Sequence, residues 1–192
     1  MEPVLELEKE YTIRDIYDLP EGKRAELIDG QIYNMAPPAR KHQEVTGELF
    51  FRIQEYIRSH QGSCRVYTAP FAVFLDEDEK NYVEPDISVI CDLSKLNEKG
   101  CNGAPDWVIE VVSPSSRRID YFIKLFKYRT AGTREYWIVD PERQRITVYD
   151  FELEDTRDYT FDDSIKAGIF EDFLIDFSDI QKWIPMDNYI SS

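Results

Sequence analysis

Glu110 stands in the middle of an apolar, β-branched run, residues 106–114 (DWVIEVVSP), which reads as a buried strand stopped by Ser113-Pro114. An ionised carboxylate in such a strand is costly unless a cation or hydrogen-bond donors compensate it. Asp86 lies in a second strand-like run, where alternation puts it on one face with Ser88 and Ile90. The same alternation groups Glu110 with Val108 and Val112. If the two strands are neighbours, Asp86 and Glu110 converge, and close carboxylates repel unless a cation joins them or one is protonated. Magnesium is held through one or two carboxylates together with water and phosphate oxygens. The pair therefore points to a Mg2+ site, with Mn2+ as the substitute. Asp120, Lys124 and Tyr128 recur every four residues and share a helical stripe. A lysine there can reach over the carboxylates, hold an attacking water or screen charge that develops in the transition state. Glu26, a third acid in an apolar strand, is placed to bind a second metal or its water.

Each residue also has a plainer reading. Glu110 could form a structural salt bridge, with Lys124 itself as the partner. Pro85-Asp86 is common turn chemistry. Lys124 could be a surface helix lysine, Glu26 a solvent-facing edge residue and Tyr128 a packing residue. His42, at a helix start after Arg40-Lys41, is either a capping or surface histidine or a contact to phosphate or to the nucleophilic water. There is no GxSxG, P-loop or dinucleotide fingerprint, and no cysteine is paired with a histidine in a recognisable motif.

The elements that must position these side chains follow from periodicity and turn chemistry. Thr12 and Asp15 have capping-box spacing and open a short helix that ends before Pro20-Glu21-Gly22. Residues 24–35 read as a hairpin around Asp29-Gly30, a type I′ turn. Val45, Leu49, Ile53 and Ile57 mark an amphipathic helix over 42–60. Strands are expected at 65–75 and 82–90, joined by the acidic loop 76–81, which lacks calcium-ligand spacing and reads as a solvated turn. After the Glu110 strand, residues 116–131 form a helix with an apolar stripe of Ile119, Ile123 and Phe126 beside Phe122, ended by Gly132. Strands follow at 135–140 and 145–151. Beyond 151, acids alternate with apolar residues as edge strands or an extended arm, with a short helix near 180–184. The order predicts a mixed α/β sheet flanked by helices.

At 192 residues the chain suits a single domain, with a core of about 10–150 and an acidic C-terminal arm of about 151–192. No apolar run approaches a membrane span, and the acidic N-terminus lacks a signal-peptide core. Three cysteines, odd in number and without a CxxC pair, suit a reducing cytoplasm and give no zinc site. The net charge of −15 weighs against nucleic-acid binding taken alone. The charge is uneven, however. Residues 114–134 carry six basic side chains and one acid, and only the local field matters to a bound phosphate.

Several short motifs, in order, resemble the Uma2 family (DUF820). They are Glu26-Leu27-Ile28-Asp29-Gly30, His42 opening a helix, Glu84-Pro85-Asp86, Glu110 to Pro114, the Asp120, Lys124, Tyr128 and Ala131-Gly132 series, and Glu135 to Pro141. The resemblance covers roughly residues 10–180. That family is similar to PD-(D/E)XK nucleases of the restriction-endonuclease-like superfamily, which have an αβββαβ core and hydrolyse phosphodiesters with Mg2+. The resemblance implies that Asp86 is the motif aspartate and Glu110 the motif acid. Val112 stands where the motif lysine would be, and Lys124, from the following helix, fits the displaced position. Glu26 matches the acid near the N-terminus of the core. The implied activity is Mg2+-dependent hydrolysis of nucleic acid, DNA before RNA. The alternative is a non-catalytic binding or assembly module that keeps the nuclease fold. Unpaired strands in the acidic arm would make the protein a homodimer.

Overall fold

Glu84-Pro85-Asp86 and the Ala69-Pro70 step divide the strands of this chain between two mixed sheets. The computed structural model describes residues 9–114 and 116–184; the N-terminal stretch before Lys9 lies outside them. The first helix is α1 (Ile13–Tyr17), where Thr12 N donates to the Asp15 carboxylate at 2.9 Å. The hairpin follows as β1 (Ala25–Ile28) and β2 (Gln31–Asn34). Its turn has positive φ at both Asp29 (50°) and Gly30 (72°), as a type I′ turn requires.

Helix α2 (Arg40–Ser59) buries Val45, Leu49, Ile53 and Ile57, the four residues that its periodicity singles out. The expected strand over 65–75 is two strands, β3 (Arg65–Thr68) and β4 (Val73–Phe74). Pro70 has no N–H with which to continue a ladder, so the chain leaves one sheet and enters the other there. The strand expected over 82–90 divides in the same way at Pro85, into β5 (Tyr82–Val83) and β6 (Ile87–Ile90). Two short strands that periodicity does not reveal, β7 (Leu96–Asn97) and β8 (Gly100–Asn102), follow. Next come β9 (Trp107–Val111), the helical segment, β10 (Glu135–Asp140), β11 (Arg145–Asp150) and β12 (Asp155–Thr160).

One sheet has the order β2-β1-β5-β4-β8-β7 and the other β12-β11-β10-β9-β6-β3. Pairs β4/β8 and β9/β10 are parallel and the remaining pairs are antiparallel, so both sheets are mixed. The α/β class is as expected, but six strands in each of two sheets replace one central sheet. Every residue of β9 is buried. Trp107, Ile109 and Val111 pack in the cluster that includes Val45, Leu49 and Ile53 of α2. Val108 and Val112 pack in a second cluster, with Tyr128, Tyr136 and Ile138.

The acidic tail takes the edge-strand form rather than that of an extended arm. Strand β12 pairs along its length with β11, and β13 (Ser164–Lys166) pairs with β14 (Leu174–Asp176). Helix α4 (Phe177–Trp183) follows, and Phe161, Ile165, Phe173, Phe177 and Ile180 are buried in the α2 cluster. The acids alternate outward while the apolar partners complete the core, so the unpaired strands that motivated a homodimer are absent among the described residues. Cysteine pairing also departs from the expectation of a reducing environment. The β3–β6 register places Cys64 beside Cys91, which form a disulfide, and Cys101 is free and buried. Among the described residues no helix is long and apolar enough to cross a membrane.

The helix after β9 departs furthest from expectation. It begins as π-helical turns (Ile119–Lys124) and continues as α3 (Leu125–Ala131), closed by Gly132 at φ 95°. Its expected apolar face is only partly buried: Ile119 and Ile123 pack half-buried against the second cluster, while Phe122 is 71% exposed and Phe126 64%. The stripe of Asp120, Lys124 and Tyr128 is buried instead. Phe126→Ser is therefore expected to change unfolding free energy by no more than about 0.5 kcal/mol, the range of ordinary surface substitutions. Urea melts of the variant measure this, and a loss several times larger would place Phe126 in the core after all.

Candidate active site

The ladder of β6 and β9 pairs Ile87 with Ile109 and Ser88 with Val108. The next step of that ladder sets Asp86 across from Glu110. Asp86 lies just before β6, at the Pro85 break, so its carboxylate is placed at a strand end where a cavity opens. The two acids exchange backbone support. Asp86 N donates to Glu110 Oε2 at 3.3 Å, and Val111 N donates to Asp86 Oδ2 at 2.8 Å. His42, from the first turn of α2, places Nε2 3.0 Å from the same Asp86 oxygen. Burial favours neutral His42, but the Asp86 carboxylate outweighs it and raises the imidazole above its usual range. Asp86 lines a cavity of about 190 Å3 with Gln43, Thr46, Gly47, Phe50, Thr68 and Ala69.

Lys124 fills the space beside Glu110. Its Nζ lies 2.7 Å from Glu26 Oε2, 2.9 Å from Glu110 Oε1 and 3.7 Å from Asp120 Oδ1, with the side chain 6% exposed. The wider π-helical turn brings both Asp120 and Lys124 to this buried side. Burial favours the neutral amine, yet the three carboxylates outweigh it and hold Lys124 protonated. Tyr128 OH donates to Glu110 Oε1 at 2.8 Å, and burial keeps that hydroxyl protonated. Glu26 Oε1 accepts from Glu84 N at 2.9 Å, which ties β1 to the chain entering the Pro85 break. Glu84 is itself fixed by Tyr82 OH at 2.5 Å and Arg24 Nε at 2.9 Å.

Burial is the largest influence on Glu110 and pushes its carboxyl up, while Lys124 opposes the shift. Burial also pushes Asp120 up, to about 6. Asp120 therefore takes up a proton at about pH 6.

A family model described as "Uma2: Putative restriction endonuclease" matches residues 10–173. The chain belongs to the Uma2 family. It is 26% identical over 128 residues to "Uncharacterized protein slr1290" of Synechocystis, a match spanning 66% of each chain. It superposes with a TM-score of 0.74, at 22% identity, on a crystal structure described as that of "a putative nuclease belonging to DUF820" from Anabaena variabilis. The superposition covers 90% of this chain and 98% of that one. The likeness shows that the two chains share this mixed α/β fold.

Within this Uma2 chain, all six candidate residues fall into one connected network. Glu26 is not a solvent-facing edge residue, and Lys124 is not on the surface. Asp120 belongs to the site although it was given no role from the sequence; its place in the Asp120, Lys124, Tyr128 series was the available signal. Glu84 belongs to it too, but its role is to orient Glu26 through the backbone, and no local spacing reveals that. Glu26 has both oxygens engaged, so it positions Lys124 rather than presenting a free metal ligand. Asp86 Oδ2 accepts from Val111 and contacts His42, and the carboxylate faces the cavity. Asp86 and Glu110 are hard oxygen donors on adjoining strands, the type that Mg2+ takes; Glu110 Oε1 is held by Lys124 and Tyr128, so a cation at Glu110 would replace the long 3.3 Å contact from Asp86 N at Oε2. Among the described residues no three His, Cys, Asp or Glu side chains are grouped closely enough to form a closed metal cage.

The raised Asp120 carboxyl has a consequence for stability. Its value of about 6 lies above the ordinary 3.8, so the folded chain holds this proton better than the unfolded one. That contribution is complete below about pH 4 and is lost as the pH rises through about 6. Asp120→Asn is therefore expected to stabilise the protein by up to about 3 kcal/mol at pH 8, from a shift of about two units, and hardly at all at pH 4. Urea unfolding at the two pH values measures this. Equal effects at both would mean that Asp120 does not titrate between them.

Proposed function

We propose that the protein is a Mg2+-dependent endonuclease that hydrolyses phosphodiester bonds, with DNA as the preferred nucleic acid. The observation that carries this reading is the pairing of Asp86 and Glu110 across β6 and β9 with the Lys124 ammonium 2.9 Å from Glu110. Family membership supports it, since the Uma2 model carries the description of a restriction endonuclease family, with the word "putative" attached. A divalent cation held by Asp86 and Glu110 would polarise a phosphoryl oxygen and make a nearby water more acidic. Asp86 is fixed for that task by Val111 N and by His42. Glu26 and Asp120 hold Lys124 in place, and its positive charge offsets negative charge that builds on the phosphoryl oxygens during attack. The 190 Å3 cavity beside Asp86 admits the phosphate, and the surrounding α2 residues limit the water that enters with it.

Plasmid nicking with Mg2+ or Mn2+ tests the proposal. Activity that is lost in Glu110→Gln supports it; activity that survives that change and Asp86→Asn excludes the site.

A non-catalytic module is the second reading. It is favoured by the engagement of both Glu110 oxygens within the chain, which compensates the site without a metal. Calorimetry separates the two: no heat with Mg2+ or Mn2+ at millimolar concentration favours the module. We also keep a homodimer as a proposal. Among the described residues its support is exposed Phe126, and a monomeric mass by light scattering at tens of micromolar ends it.

A further inference from the structure

On the far side of the Lys124 helix lies a larger cavity, of about 780 Å3, between that helix and the surface of β11 and β12. Its size falls within the roughly 300–1,000 Å3 of small-ligand pockets. The protein as a whole has 38 acidic and 23 basic residues. The lining reverses that balance, with four arginines (Arg117, Arg118, Arg143 and Arg145) and one acid, Asp158. Tyr121, Phe122 and Tyr149 supply aromatic surface between them.

The arginines differ in what holds them. Arg117 Nε donates to fully buried Asp140 at 2.9 Å and its guanidinium also meets Glu142 at 3.4 Å, while Arg143 lies 4.0 Å from Asp140. Arg145 is paired with Asp158. Arg118 is exposed and, among the described residues, makes no ion pair. Phe122 stays 71% exposed although it lies on a helix that buries charged residues. Arg118, the lining arginine without an ion pair among the described residues, stands over aromatic faces, which is what a nucleotide takes: phosphate on guanidinium, base against ring.

From this lining we infer that the cavity seats one nucleotide of a single nucleic-acid strand. The phosphate lies at Arg118 and Arg117, and the base lies against Tyr149 and Phe122. The inference rests on the phosphodiester reading of the carboxylate site and deepens it. Pro114 and Arg117 follow directly on the strand that carries Glu110. The turns of helix that supply Tyr121 and Phe122 also supply Asp120 and Lys124 to the other side. A strand seated in the cavity thus continues toward the carboxylates around the start of one helix.

The test is fluorescence anisotropy of the full chain with a labelled single-stranded oligonucleotide in EDTA, where no cleavage occurs. Arg118→Glu and Tyr149→Ala are each expected to weaken binding at least about tenfold. Arg118→Glu should also lower the salt slope by about one. Lys166→Glu, at an exposed position of β13, makes the same change of charge and should leave the affinity unaltered. The inference is overturned if wild-type protein does not bind the strand, or if Arg118→Glu binds as wild type does. It is also overturned if a free mononucleotide saturates the cavity while the strand does not compete. A protein that binds the strand through Arg118 but nicks no plasmid sinks the hydrolase reading and leaves this one standing. Nicking that persists in Arg118→Glu with unchanged affinity does the reverse.

Discussion

Asp86→Asn is expected to abolish the heat of Mg2+ binding and to lower plasmid cleavage at least about 1,000-fold, with little change in melting temperature. The reasoning is geometric. The substitution keeps the shape of the side chain, and an amide oxygen can still accept from Val111 N, which Asp86 Oδ2 does at 2.8 Å. What is lost is the negative charge at the cavity next to Glu110. Lewis-acid stabilisation is worth several kcal/mol, and about 1.4 kcal/mol corresponds to a tenfold change in rate. The His42 contact at 3.0 Å also loses its ionic component, so the imidazole should titrate lower in the variant. Isothermal titration with Mg2+ and time courses of supercoiled plasmid measure both effects. Cleavage within tenfold of wild type would remove Asp86 from the reaction.

Lys124→Met should destabilise the fold by about 3–5 kcal/mol at pH 8, because it leaves buried carboxylates without their cation. Methionine fills much of the same space, so the loss reports charge more than volume. Lys124 lies within 4 Å of Glu26, Glu110 and Asp120, all buried. Without the ammonium these acids must take up protons or repel one another. The penalty should therefore shrink as the pH falls through about 6, where Asp120 takes up a proton and one buried charge is removed. Denaturant melts across that range, with far-UV circular dichroism at each pH, give the result directly. A penalty that is small at pH 8, or that grows in acid, would mean that Lys124 does not neutralise the cluster. The double variant Lys124→Met with Asp120→Asn should recover part of the loss at pH 8, since one of the buried charges is then gone.

The motif residues were legible as a group because each breaks a local rule. Glu110 interrupts an apolar strand, Asp86 follows a proline, and Glu26 sits in an apolar hairpin strand. The hairpin turn was legible because positive φ at two successive residues favours Asp-Gly. Helix α2 was legible because one side of it packs on a sheet of aliphatic residues. The helix from 116 to 131 misled for the same physical reason that α2 did not. A hydrophobic stripe marks the buried face only when the burial of apolar area outweighs every other contribution. Here a cation and several acids, drawn from β1, β9 and the helix itself, compensate one another, and no window of local sequence contains them all. Phe122 and Phe126 were left to the surface as a result.

Residue types and their local order determined the strands, the tight turn, the α2 face and the set of candidate acids. Only the tertiary structure decided that Asp86 stands across from Glu110, that Lys124 is enclosed by three carboxylates, that Cys64 meets Cys91 and that the acidic tail closes the core. Local signals report backbone preference within a few residues. Register, charge compensation and the closing of a core depend on partners as far apart in the chain as Glu26 and Lys124, whose interaction exists only once both strands and the helix are in place.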